Sequence, residues 1–88
     1  MIQYSHKIKN KYMFKAFYGD TNNKIIDVTD KVKKFQNINC IFIPKNINFN
    51  DHFNDVCPGI IKKLFIIVKY NTYIIEENNN IDTKIFLE

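Results

Sequence analysis

Arginine and tryptophan are absent from this chain of 88 residues, alanine occurs once, at Ala16, and glycine, proline and cysteine occur twice each. Without arginine there is no planar five-donor fork for bidentate recognition of phosphate or guanine, so all strong cationic chemistry falls to the thirteen lysines. Gly19 and Gly59 are the only glycines, which excludes the glycine-rich loops that cradle nucleotide phosphates. Cys40 and Cys57 are too few for a disulfide framework and lack CxxC spacing, so they read as reduced thiols. Long hydrophobic runs are missing as well. The apolar stretches are short and broken by lysine, and the start Met1-Ile2-Gln3-Tyr4-Ser5-His6-Lys7 has no apolar leader, so no membrane association and a cytoplasmic setting are expected.

What is abundant points to strands. The apolar fraction is 45%, and isoleucine and phenylalanine dominate it. β-Branched and aromatic side chains fit a pleated surface and lose χ1 freedom in a helix. Asparagine is as frequent as lysine, and Lys, Asn, Ile, Phe and Tyr share A/T-rich codons. That skew fits an A+T-rich genome such as that of a large DNA virus or a parasitic protist; for a viral source the setting is the host cytoplasm or the virion. It also discounts the net charge of +4 as a sign of an acidic partner. A domain of this size buries about 60–65% of its unfolded surface, so its stability is modest and a partner would add to it.

Residues 1–11 are polar and lysine-rich and read as a loose arm or an edge strand, leaving residues 12–88 as one β domain. The first strand is expected at Tyr12–Tyr18, stopped by Gly19-Asp20, and a short strand at Ile25–Val28 follows. Residues 29–35 suit one or two helical turns with Thr29 as N-cap, Asp30 in the first turn and Lys33 and Lys34 in the last. Val28, Val32 and Phe35 then face the core together. Asn39–Ile43 reads as a strand ended by Pro44. Residues 45–52 read as an extended loop tucking Ile47 and Phe49 inward. A chemically specified turn, Phe53–Gly59, places Pro58 at the second position of a type II β-turn and Gly59, with positive φ, at the third. It empties into a central strand at about Lys62–Tyr70, with Leu64, Ile66, Val68 and Tyr70 on one face and Phe65 and Ile67 on the other, both faces covered. Asn71-Thr72 and Asn78-Asn79-Asn80 then mark the turns of a three-stranded meander ending in residues 81–87.

No catalytic or metal-binding motif emerges. His6, Cys40, His52 and Cys57 hold zinc-type donors, but they do not come as the two close pairs of a structural zinc site, and Cys40 reads as a small buried hydrophobe. Asp51, His52, Asn54 and Asp55 lack the spaced carboxylates and closing bidentate Glu of a calcium loop. Capping of turns and helix ends explains them better, as it does Asp27 and Asp30. A nucleophile pairing of Cys57 with His52 or His6 has no oxyanion element nearby. No enzymatic activity and no cofactor are therefore expected. The main competitor is single-stranded nucleic-acid binding. Lysines at 7, 9, 11, 15, 31, 33 and 34 would meet phosphates, and Tyr4, Tyr12, Phe14, Tyr18, Tyr70 and Tyr73 would stack bases.

Read in order, Phe17-Tyr18-Gly19-Asp20, residues 26–32, residues 53–59 and Lys62–Ile66 ending at Tyr70 form a pattern. It resembles a small β domain of uncharacterised function found alone in large DNA viruses and as a terminal module of some eukaryotic multidomain proteins, J-domain proteins among them. The most specific part is Asp-x-x-Pro-Gly-x-x-Lys-x-Leu, carried by Asp55, Pro58, Gly59, Lys62 and Leu64; where such domains tend to have a second proline after the aspartate, this chain has Val56. The resemblance implies a binding or structural module without catalytic residues. The expectation is thus an all-β antiparallel sandwich or open barrel of five to seven strands, with at most one short helix near 29–35. It would act in protein–protein interaction, as a minor structural or accessory module. Asp55, Pro58, Gly59 and Lys62 are its structural turn. A protein partner or a second copy would dock on the C-terminal edge at Ile81, Thr83, Ile85 and Phe86.

Overall fold

The computed structural model describes residues 13–54, 56–77 and 79–87. They form a β-rich fold of seven strands: β1 (Lys15–Gly19), β2 (Ile25–Asp27), β3 (Gln36–Asn37), β4 (Cys40–Ile43), β5 (Lys63–Val68), β6 (Asn71–Glu76) and β7 (Thr83–Phe86). The strands make two antiparallel sheets, one ordered β2-β1-β5-β6 and one ordered β3-β4-β7. The arm or edge strand expected over residues 1–11 lies outside the described residues.

The β1–β2 hairpin follows from Gly19 and Asp20. Gly19 has φ 146°, and a Cβ there would lie 2.0 Å from the Lys24 carbonyl oxygen, so only glycine fits. The Asp20 carboxylate accepts from Asn22 N–H at 3.1 Å and the Asn23 side-chain amide at 2.6 Å, closing the turn. Next comes α1 (Thr29–Val32), which tightens into a 3₁₀ turn at Lys33–Phe35. Val28 and Val32 are buried and Phe35 packs against them, as the spacing predicts. The expected N-cap is corrected, however. Thr29 is already helical and the N-cap position falls to Val28, which has no side-chain acceptor; the Asp27 carboxylate just before it takes the Thr29 N–H at 2.9 Å and the Thr29 hydroxyl at 2.6 Å. The Thr29 hydroxyl oxygen in turn accepts the Ala16 N–H at 3.0 Å, so this oxygen is used to tie the helix to β1.

The extended loop expected over residues 45–52 closes instead into a helical turn, α2 (Phe49–Phe53). Asn48 starts it, accepting from Asn50 N–H through its side chain at 3.1 Å. The i,i+4 pair Phe49 and Phe53 is thereby set on one face, both fully buried. The two rings pack on Tyr18 of β1 with centroids 5.7 and 5.1 Å away. Ile47 does tuck inward.

Core residues come from both sheets: Ala16, Tyr18, Leu64, Ile66, Val68 and Ile75 from the first, Ile41, Ile43 and Ile85 from the second. β5 is central, paired with β1 on one side and β6 on the other. Its coverage differs from expectation. Leu64, Ile66 and Val68 are buried, but Phe65 is only half-buried, Ile67 is exposed, and Tyr70 lies beyond the strand, almost fully exposed. The loop between β5 and β6 is Lys69-Tyr70, not Asn71-Thr72, and Lys69 takes φ 55° to make it. The expected meander is also corrected. β6 stays beside β5, but β7 crosses to the other sheet and pairs with β4, Ile85 opposite Ile41. The crossover is pinned by Lys45 N–H donating to Asp82 Oδ1 at 2.8 Å and Asn46 N–H to the Asn79 carbonyl at 2.7 Å.

Candidate functional site

The turn that carries the sequence resemblance is built as its residues predict. Ile60 N–H donates to the Cys57 carbonyl at 3.0 Å, and Gly59 has φ 79°, the hydrogen bond and the backbone of a type II turn with Pro58 at its second position. Lys62 closes it. Its side chain is buried, and Nζ donates to the Cys57 carbonyl at 3.1 Å and the Ile60 carbonyl at 2.7 Å. An ammonium group spent on backbone carbonyls acts as a strut for the loop that feeds β5. Pro58, Gly59 and Lys62 thus come together; Asp55 lies outside the described residues.

The other predicted residues disperse. β7 is an outer strand of its sheet, but Ile85 points into the core, Thr83 is half-buried, Ile81 precedes the strand, and only Ile81 and Phe86 are exposed apolar groups. Cys57 donates its thiol to the Lys24 carbonyl at 3.5 Å, and Cys40 is buried at the start of β4. His52 stacks edge-on against Phe35 at 5.2 Å. Among the described residues no three His, Cys, Asp or Glu side chains gather in one place. Of the aromatic rings expected to stack bases, Phe14 and Tyr18 are core, Tyr70 and Tyr73 are exposed, and Tyr4 and Tyr12 lie outside the described residues. The Tyr18 hydroxyl is shared between Asn50 Oδ1 at 2.8 Å and the Glu77 carboxylate, joining β1, α2 and the end of β6.

What the tertiary structure assembles is the outer face of the four-stranded sheet. Strand alternation puts Ala16, Tyr18, Leu64, Ile66 and Ile75 inward, so Phe17, Phe65, Ile67 and Ile74 face outward. Register aligns them: Phe17 is opposite Phe65, and Phe65 is opposite Ile74, making an apolar strip across three strands. Ile74 is 57% exposed, and Ile67 and Ile25 extend the strip along the sheet. Charges of both signs frame it. Lys15 lies opposite Ile67, Asp27 opposite Phe17, and Lys63 opposite Glu76, with a 3.9 Å ion pair between the last two. Thr29 holds the Asp27 carboxyl below its usual range by bonding its charged form through hydroxyl and N–H, with Lys15 adding a smaller favourable field.

Around the edge of this face, an open cleft of about 710 Å³ lies between the start of β1 and α1, lined in part by Phe14, Lys15, Asp27, Thr29 and Lys31. Asp27 and Thr29 are bonded to one another, and Asp30 is in a 3.4 Å ion pair with Lys33. The cleft therefore adds an amphipathic border to the exposed strip. Phe17 and Phe65 were not singled out as surface groups by the sequence, because a strand with apolar residues at every position conceals which phase is covered. No helix among the described residues is long and apolar enough to cross a membrane. The chain matches no protein-family model, no curated protein and no solved structure.

Proposed function

We propose that this domain is a non-enzymatic protein-binding module that works through the outer face of its four-stranded sheet. The observation that carries the reading is the Phe17–Phe65–Ile74 strip, an apolar band left partly open to solvent on a sheet whose other face supplies the core. Contiguous exposed apolar area with a polar frame is the anatomy of a protein contact, with aromatic rings at its centre and charges at its rim. The half-buried phenylalanines have little rotamer freedom left to lose on binding. Residues 57–62 form a braced lead into its central strand. The A/T-biased composition and the resemblance on Pro58, Gly59, Lys62 and Leu64 support an accessory role of this kind in a large DNA virus, in host cytoplasm or virion.

One observation favours a second reading: paired phenylalanines on neighbouring strands of an exposed sheet are a geometry on which single-stranded bases stack. The frame argues for protein, because Lys15 and Lys63 are balanced by Asp27 and Glu76, and a strand-binding groove needs an excess of positive charge. The two readings separate in a paired experiment. A photo-crosslinking amino acid at Ile67 is expected to yield protein adducts of discrete mass in the native cell or particle, and the same group at Lys84 on the other sheet is not. Labelled single- and double-stranded oligonucleotides are expected to show no saturable anisotropy change at micromolar protein in physiological salt. Saturable binding with a steep salt slope, without protein adducts, overturns the protein-binding reading.

A further inference from the structure

We propose that β6 pairs, antiparallel and in a defined register, with β6 of a second copy of this chain, joining two four-stranded sheets into one of eight strands. The inference rests on the protein-binding reading and names the partner and the edge it uses. The two sheets end in four outer strands, β2, β6, β3 and β7. β2 has three residues and ends in Asp27, β3 has two, and β7 has four with Lys84 turned outward. Those are the short or charged edges by which sheets avoid unplanned pairing. β6 is different. It has six residues, Asn-Thr-Tyr-Ile-Ile-Glu, five of them exposed, with no proline, no lysine and its one charge at the final position. Among the described residues no strand pairs with its outer side.

The sequence of β6 also fits itself. Reversed about Ile74, the strand sets Tyr73 opposite Ile75 of the second copy and Thr72 opposite Glu76, so apolar meets apolar and the two carboxylates are kept apart. Ile74 then meets its own copy, and the exposed strip Phe17–Phe65–Ile74 runs on through Ile74, Phe65 and Phe17 of the partner. A heterologous peptide would satisfy the backbone of the edge but has no reason to share this pattern. An isologous two-fold contact follows from the pattern directly.

Sedimentation velocity across micromolar concentrations tests the pairing. The wild type is expected to be a reversible dimer, and Ile74→Lys, on an exposed position that leaves the monomer's melting unchanged, is expected to weaken dimerisation about tenfold or more. Phe86→Lys on β7 is the control and leaves it intact. Register is read separately: oxidised Ile74→Cys is expected to form a covalent dimer and Tyr73→Cys is not, the native thiols being buried. A strictly monomeric wild type, a dimer indifferent to Ile74→Lys, or crosslinking of Tyr73→Cys in preference to Ile74→Cys overturns the proposal. If the wild type is monomeric while a crosslinker at Ile67 still captures a different protein, the pairing falls and the protein-binding reading stands. Saturable oligonucleotide binding by a monomer removes both.

Discussion

At the scale of single residues, the two glycines are required for different reasons, and that difference is measurable. Gly59 has positive φ but nothing within 4 Å of where a Cβ would sit, so Gly59→Ala costs only the backbone penalty, about 1–2 kcal/mol, and Gly59→Val more. Gly19 adds a collision with the Lys24 carbonyl, and Gly19→Ala is expected to cost about 3 kcal/mol or more. Chemical denaturation of the variants checks the order; equal losses would remove the steric account of the β1–β2 hairpin. Asp27 yields a prediction in pH. Because its folded pKa is depressed, its contribution is fully present above the usual value of 3.8 and is lost as pH falls through the lower folded value. Asp27→Asn should therefore melt below wild type at neutral pH, and the gap should close progressively at pH values under 3.8. A gap that is constant with pH would mean that the side chain acts through shape alone.

Elements show where local signals stop. The turn chemistry at 57–60, the helix at 29–35 and the strand positions of β1, β4 and β5 were legible because each is decided by residues within a few positions. The partner of β7 was not, since Asn78-Asn79-Asn80 says that the chain turns and not which sheet it joins. That choice belongs to Ile85 and Leu87, which are buried beside β4. The consequence is a split among the four residues expected to form one edge. Ile85→Ala is expected to cost about 2–5 kcal/mol, as a core truncation, while Ile81→Ala stays within about 0.5 kcal/mol. Urea denaturation decides it, and similar costs at both positions would contradict the crossover. The helical turn at Phe49–Phe53 escaped sequence reading for a related reason. Its asparagine-rich surroundings carry loop propensity, and the two phenylalanines become a helix face only once Tyr18 is there to receive them.

Across the whole molecule, both thiols are free and enclosed by the fold, one on each side of the chain's midpoint, at Cys40 and Cys57. A thiol reagent should therefore react slowly with native protein, at a rate that follows unfolding, and rapidly with two equivalents in denaturant. Immediate stoichiometric reaction of the native protein would show that the turn at 57–60 opens independently of the core. The same whole-molecule view explains the surface. A chain of this length cannot bury every one of eight phenylalanines and five tyrosines, so some apolar area must remain outside.

The sequence by itself determined the β class, the type II turn with Gly59 at positive φ, the burial of Val28 and Val32 and the position of β5 along the chain, because each rests on local backbone sterics or on residue periodicity. Tertiary structure decided which strands neighbour one another, that the Thr29 hydroxyl ties the first helix to β1 instead of capping it, and that Phe17 and Phe65 lie side by side, half-buried, on the outer face. The physical reason is that β pairing is non-local. A strand with apolar residues on both faces satisfies either phase equally well, and only the competition among all the strands and helical turns for one limited core settles which face is covered.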